Sequence, residues 1–88
     1  MRSVYKKQLS IKYFKINQFA IEVNSVEEVS FVDKIFKLNH SYLGENTLRS
    51  GHCISVLRSS HSDREYYENE MGRPVMKFKE FKKRIEIK

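Results

Sequence analysis

The chain is poor in structural punctuation: one cysteine, one proline, three glycines and no tryptophan in 88 residues. With Cys53 alone, neither a disulfide framework nor a multi-cysteine metal centre can be built. Its neighbours are strand-like and apolar, so the thiol reads as a small buried hydrophobe, and the chain as a cytoplasmic protein of a reducing compartment. So little proline and glycine leaves no room for a linker, and no low-complexity segment or solenoid-length repeat is present. Apolar runs stop at three residues, which excludes a membrane-spanning segment. Met1 to Leu9 carries Arg2, Lys6 and Lys7 without an apolar stretch behind them, unlike a signal peptide. No cofactor motif and no metal-ligand spacing occur, so neither a cofactor nor a metal is expected.

What is present suits one small domain over residues 1–88. Apolar residues make up 40% and charged residues 32%, too apolar for a disordered chain and short enough that the core must be thin. Ile11 to Ile16 is rich in β-branched and aromatic residues and reads as a strand. Phe19 to Val23 alternates as a half-buried strand, with Asn17-Gln18 as a hairpin turn between the two. Ser25-Val26-Glu27-Glu28 is a capping box, and the apolar stripe behind it (Val29, Val32, Phe36) predicts a helix over 26–38. Residues 41–51 read as a loop, and 52–58 as a central strand with apolar groups on both sides. Ser59 to Ser62 reads as a polar turn. Ser62-Asp63-Arg64-Glu65 is a second capping box, opening a short helix that Gly72 closes. Pro74 to Phe78 reads as a strand, and residues 79–88 as a helical turn or a further strand. The expected order is β-β-α-β-(α)-β-(α). It implies an α+β fold, a small single antiparallel sheet with one main helix packed on one face.

Charge is unevenly laid out along the chain. Residues 1–15 carry +5, residues 16–72 carry −4 and residues 73–88 carry +5, for a net +6. Chain ends of one-domain folds tend to lie together, so ten excess charges would share one face. Such a face attracts phosphate with salt-dependent affinity. Aromatic residues near the lysines (Tyr5, Tyr13, Phe14, Phe78, Phe81) favour unpaired bases over duplex if they stack, or simply form the core. The candidate phosphate-facing residues are Lys6, Lys7, Lys12, Lys15, Lys79, Lys82, Lys83 and Arg84.

A second group, Arg49, His52, Arg58, His61 and Arg64, flanks the 52–58 strand. Arg49 and Arg58 add planar forks for phosphate. Histidines can act as acid and base in RNA cleavage, but no motif here brings two of His40, His52 and His61 together, and no catalytic residue is assigned. Leu48-Arg49-Ser50-Gly51-His52 is echoed nine residues later by Leu57-Arg58-Ser59-Ser60-His61, a likeness short enough to be chance. Tyr66 and Tyr67, set among acids, suit a protein-facing edge, or else a solvated helix with one tyrosine packed inward.

The run Phe19-Ala20-Ile21-Glu22-Val23-Asn24-Ser25-Val26-Glu27-Glu28, the following helix with Phe31 and Phe36, the Glu-Tyr-Tyr-Glu segment and the closing Pro-Val-Met-Lys-Phe-Lys-Glu-Phe resemble small accessory proteins of tailed bacteriophages. The likeness covers about residues 19–82. Where many such proteins carry a Gly-Tyr-x-Trp-x-x-Gly stretch, this chain has Asn39-His40-Ser41-Tyr42-Leu43-Gly44. The resemblance implies a phage-encoded, non-enzymatic factor that disables a host component. It is similar in kind to phage inhibitors of ToxN-type endoribonuclease toxins, which engage their target together with RNA. The leading expectation is an RNA-associating inhibitor or adaptor whose partner is RNA, a host protein or a ribonucleoprotein, with no membrane involved. The alternatives are a protein–protein inhibitor docking an acidic partner without nucleic acid, and a small ribonuclease using His52 or His61 with Arg58.

Overall fold

A computed structural model describes residues 8–49 and 51–86. Leu9 enters as a single parallel bridge partner of Ile85. The elements are α1 (Ile11–Ile16), β1 (Ala20–Glu22), α2 (Val26–Phe36), α3 (Glu45–Leu48), β2 (Cys53–Ser55), β3 (His61–Ser62), a π-helical turn (Tyr66–Glu70), β4 (Val75–Lys77) and α4 (Phe78–Arg84). The four strands form one sheet in the order β3-β2-β1-β4.

The sheet is mixed rather than antiparallel. β1 pairs antiparallel with β2 and parallel with β4, and β2 pairs antiparallel with β3. Register sorts the side chains by face. Ile21, Ile54 and Met76 line up on one side, and Ala20, Ser55 and Val75 on the other. The first side carries the main core, where Phe14 of α1, Val29, Val32 and Phe36 of α2, Leu48 of α3 and Phe81 of α4 all pack. The second side carries a small cluster of Ala20, Cys53 and Tyr67, roofed by the π-helical turn. The sheet is therefore covered on both faces, by several helices and a wide turn instead of one main helix.

Residues 11–16 form a helix, not the expected strand. Ser10 caps it, its Oγ accepting from the Tyr13 amide at 3.1 Å. Only Phe14 is buried in this helix, and its ring meets Phe19 at 4.9 Å and Phe81 at 5.1 Å. Burial of one large ring at that site outweighs the β-propensity of its neighbours. Asn17-Gln18 closes this helix and is not a hairpin turn, with Gln18 in a left-handed conformation at φ 55°. α2 starts where the capping box predicts. Ser25 Oγ accepts from the Glu28 amide at 3.3 Å, while Glu28 Oε1 accepts at 2.8 Å from the amide of Asn24, one residue before the Ser25 amide that a capping box calls for. It stops two residues short of the expected end, at a left-handed Lys37.

The 41–51 stretch is not all loop, since α3 buries Leu48. The expected 52–58 strand shrinks to β2, which is internal as predicted, and the 59–62 turn yields a two-residue edge strand, β3. The second cap is Asp63, one residue later than expected, its Oδ1 accepting from the Tyr66 amide at 2.9 Å. Gly72, with φ 63°, lets Arg73 N donate back to Tyr67 O at 2.8 Å, a Schellman-type closure that only a glycine adopts without strain. β4 then runs straight into α4, which resolves the start of the 79–88 segment as helix.

Candidate nucleic-acid interface

The two basic segments meet within the described residues. Leu9 N donates to Arg84 O at 2.7 Å, Glu86 N donates to Leu9 O at 2.8 Å, and Gln8 Nε2 donates to Lys83 O at 3.1 Å. Behind this seam Phe14 and Phe81 hold α1 against α4. Helical spacing turns the lysines away from those two rings. Lys12 and Lys15 of α1 and Lys82 and Lys83 of α4 are all exposed, and none has a carboxylate within ion-pair distance among the described residues. Lys82 sits 5.9 Å above the Phe31 ring, which steadies its ammonium without neutralising it. Arg84 is half-buried and reaches Glu80 at 3.7 Å. Tyr13 stands beside these cations, 42% exposed and available to a base, while Phe14 and Phe81 are buried and Phe78 partly so.

The remaining sequence candidates lie elsewhere. Lys6 and Lys7, with Arg2 and Tyr5, fall outside the described residues. Lys79 shares a hollow with Lys77, Glu22 and Glu28, so its charge is set against two acids rather than added to the lysine cluster. Arg49 caps the end of α3 and is exposed. Arg64 is occupied, with Glu22 at 3.3 Å and Glu68 at 3.2 Å. That leaves it poorly placed for a phosphate. Hydrogen bonding and attraction from Glu68 raise its already high pKa.

Arg58 belongs to a second concavity, of about 290 Å³, at the β3 edge of the sheet. It is lined by Arg58, Ser60, His61, Tyr66, Tyr67 and Arg73 among others, and by no carboxylate. Tyr66 and Tyr67 do not form a paired edge. Tyr66 is 39% exposed, whereas Tyr67 is buried against Ala20 and Cys53 and forms part of the hollow's inner wall. The Tyr67 hydroxyl bonds Ser60, yet burial outweighs this bond and the nearby Arg73 and keeps its pKa above the usual tyrosine value.

Two histidines that no motif brings together in the sequence meet in the fold. His52 Nε2 and His61 Nδ1 lie 2.6 Å apart, diagonal neighbours across β2 and β3. The signal that could have found them is the nine-residue echo, since the hairpin pairs Cys53 with Ser62 at that same separation. One ring must accept from the other. His52 is the natural acceptor, because burial and then the His61 charge hold its pKa below the ordinary value, against an opposing pull from Asp63. Bonded directly to each other, the rings leave no gap for a phosphodiester between acid and base, so this geometry does not favour RNA cleavage.

His40 is a structural histidine. It is fully buried, its Nδ1 meets Asp33 Oδ1 at 2.5 Å, its amide donates to Asp33 Oδ2 at 2.7 Å, and its Nε2 faces Ser60 O at 3.1 Å. Cys53 is fully buried too, and burial, reinforced by Glu22, pushes its thiol up to about 12. No group of three histidine, cysteine or acidic side chains among the described residues could hold a metal ion, and no helix there is long and apolar enough to cross a membrane. No protein-family model, no curated protein and no solved structure matches the chain.

Proposed function

We propose that this protein acts by binding, not catalysis, as a small RNA-associating module whose α1–α4 end takes the phosphates of a single-stranded segment. The observation that carries the reading is the Leu9–Ile85 pairing, which sets Lys12, Lys15, Lys82 and Lys83 on adjoining helices, free of carboxylate partners among the described residues. Unpaired cations on a folded domain have the most to gain from displacing the counterions of a polyphosphate. Exposed Tyr13 beside them offers a flat ring on which an unpaired base can stack. The resemblance to phage accessory proteins supports a cellular role as an inhibitor or adaptor that holds the RNA of a host toxin ribonucleoprotein.

The test is fluorescence anisotropy with a labelled unstructured RNA across a salt series. Each lysine that neutralises a phosphate contributes about 0.7 to the slope of log affinity against log salt. Replacing all four lysines with glutamine should therefore lower the slope by about 2.8. The affinity deficit of the variant at low salt should be largest, and should shrink about 50-fold between roughly 50 and 200 mM salt. No binding by the wild-type chain, or an unchanged slope in the variant, removes this reading. Recovery of the partner from the native host with and without ribonuclease then separates an RNA-dependent complex from a direct protein contact.

A further inference from the structure

We propose that the hollow beside Tyr66 is a nucleotide site, in which Arg58 and Arg73 hold a phosphate and the exposed Tyr66 ring carries the base. It is distinct from the α1–α4 lysines. The hollow sits at the β3 edge of the sheet, whereas α4 leaves from β4 at the other edge.

Charge points to a phosphate. Residues 16–72 carry a net −4, yet this concavity within and beside them is lined by two guanidinium groups and an imidazole with no carboxylate. Neither Arg58 nor Arg73 has an ion-pair partner among the described residues, in contrast to Arg64 nearby, which has two. Guanidinium groups left without a carboxylate in a concave wall make charge-assisted, two-pronged hydrogen bonds to a phosphate oxygen pair. Ser60 and Ser62 add hydroxyls to the same wall.

Shape and apolar surface point to a base joined to that phosphate. The hollow, about 290 Å³, lies at the small end of ligand pockets, large enough for more than an inorganic anion. Tyr66 and Met71 are both about 40% exposed and line it. An exposed tyrosine face beside a thioether suits a flat heterocycle. The backbone is built to hold this arrangement. The π-helical turn lets Met71 N donate to Tyr66 O at 3.0 Å, and Gly72 folds Arg73 back onto Tyr67, so Tyr66, Met71 and Arg73 are held by one turn facing the β2–β3 hairpin that carries Arg58. Wide turns of this kind recur at functional sites.

The experiment is nuclear magnetic resonance titration of the full chain with adenosine 5′-monophosphate, adenosine and inorganic phosphate. The expected result is shifts at Arg58, Ser60, Tyr66 and Arg73 with the nucleotide, and weaker binding of either half alone. Arg58→Gln and Tyr66→Leu, both at exposed positions that leave the core intact, should each weaken the nucleotide about tenfold. The four-lysine variant should bind the mononucleotide unchanged, so failure of this site and failure of the RNA reading are separable. Absence of shifts at the hollow, equal binding of inorganic phosphate, or undiminished affinity in Arg58→Gln and Tyr66→Leu overturns the proposal. Where the nucleotide binds, competition by a short RNA with a 5′-phosphate but not by its 5′-hydroxyl form assigns the site to an RNA end. Competition by both assigns it to any unstacked residue of a strand, and competition by neither to a free nucleotide.

Discussion

Removing the Asp33 carboxylate should cost this fold a large share of its stability. Asp33 accepts from both the ring and the backbone amide of His40, and His40 has no exposure to water. In Asp33→Ala two donors lose their acceptor. Each unsatisfied buried donor costs about 1–3 kcal/mol. Asp33 itself is 15% exposed, so some water reaches the vacated site, and about 3 kcal/mol in all is the expected loss. An 88-residue domain has about 4–13 kcal/mol to lose. Thermal unfolding by circular dichroism should show a fall of about 12 °C or more. The damage should spread to the turn before β3. There Ser60 O faces the His40 ring, Asn39 N donates to Ser59 Oγ at 3.1 Å, and Tyr42 Oη donates to Ser59 O at 3.0 Å. Arg58 sits next to that turn, so nucleotide affinity should fall with stability. A double-mutant cycle with His40→Leu should return a coupling of about 1.5 kcal/mol or more. A loss under about 1 kcal/mol, or coupling near zero, would refute the view that this pair locks the loop to the turn.

Three further outcomes follow from the geometry. Cys53, buried and with its thiol pushed up to about 12, should resist thiol-specific reagents in the native state and react fully in denaturant; rapid labelling of the folded chain would contradict its placement. His52 has a folded pKa below its ordinary 6.5, so the stability contributed by the neutral ring is complete above that value and is lost as pH falls through it towards the folded pKa. Urea midpoints should therefore decline from about pH 7.5 to 5.5, and His52→Gln should flatten that decline; an equal slope in both proteins would count against it. Gly51 has φ 71°, and a Cβ there would come within 2.6 Å of Glu22 Oε2. Gly51→Ala should cost about 1–2 kcal/mol in urea unfolding, mostly from the left-handed backbone since the carboxylate can swing aside, and a neutral effect would show that the loop can change conformation.

The parts of the fold legible in the sequence are those decided locally. Ser25 and Glu28 wrote the start of α2, Gly72 the end of the turn before β4, and the alternation of Phe19 to Val23 the strand at the centre of the sheet. The parts that were not legible depend on distant partners. Ile11 to Ile16 has the composition of a strand, and only the Phe14 pocket, made by Phe19, Phe36 and Phe81, selects the helix. The parallel pairing of β1 with β4 joins residues more than fifty positions apart, which no local pattern encodes. The same holds for function. The +5, −4, +5 layout anticipates that the ends are basic, but not that Lys79 would face Glu22 and Glu28, that Tyr67 would turn inward, or that Arg73 would join Arg58. His52 and His61 were visible only as an echo until strand register placed them together.

The Leu9–Ile85 bridge and the Phe14–Phe81 contact also bear on how the molecule is made. Both join residues from the first and last stretches of the described chain, so their formation must close a loop spanning most of the domain. A chain lacking Phe81 would leave Phe14 and Phe36 without the ring that packs against both of them. The core around Phe14 is thereby completed only once α4 is present, so a chain cut short of α4 keeps apolar surface uncovered.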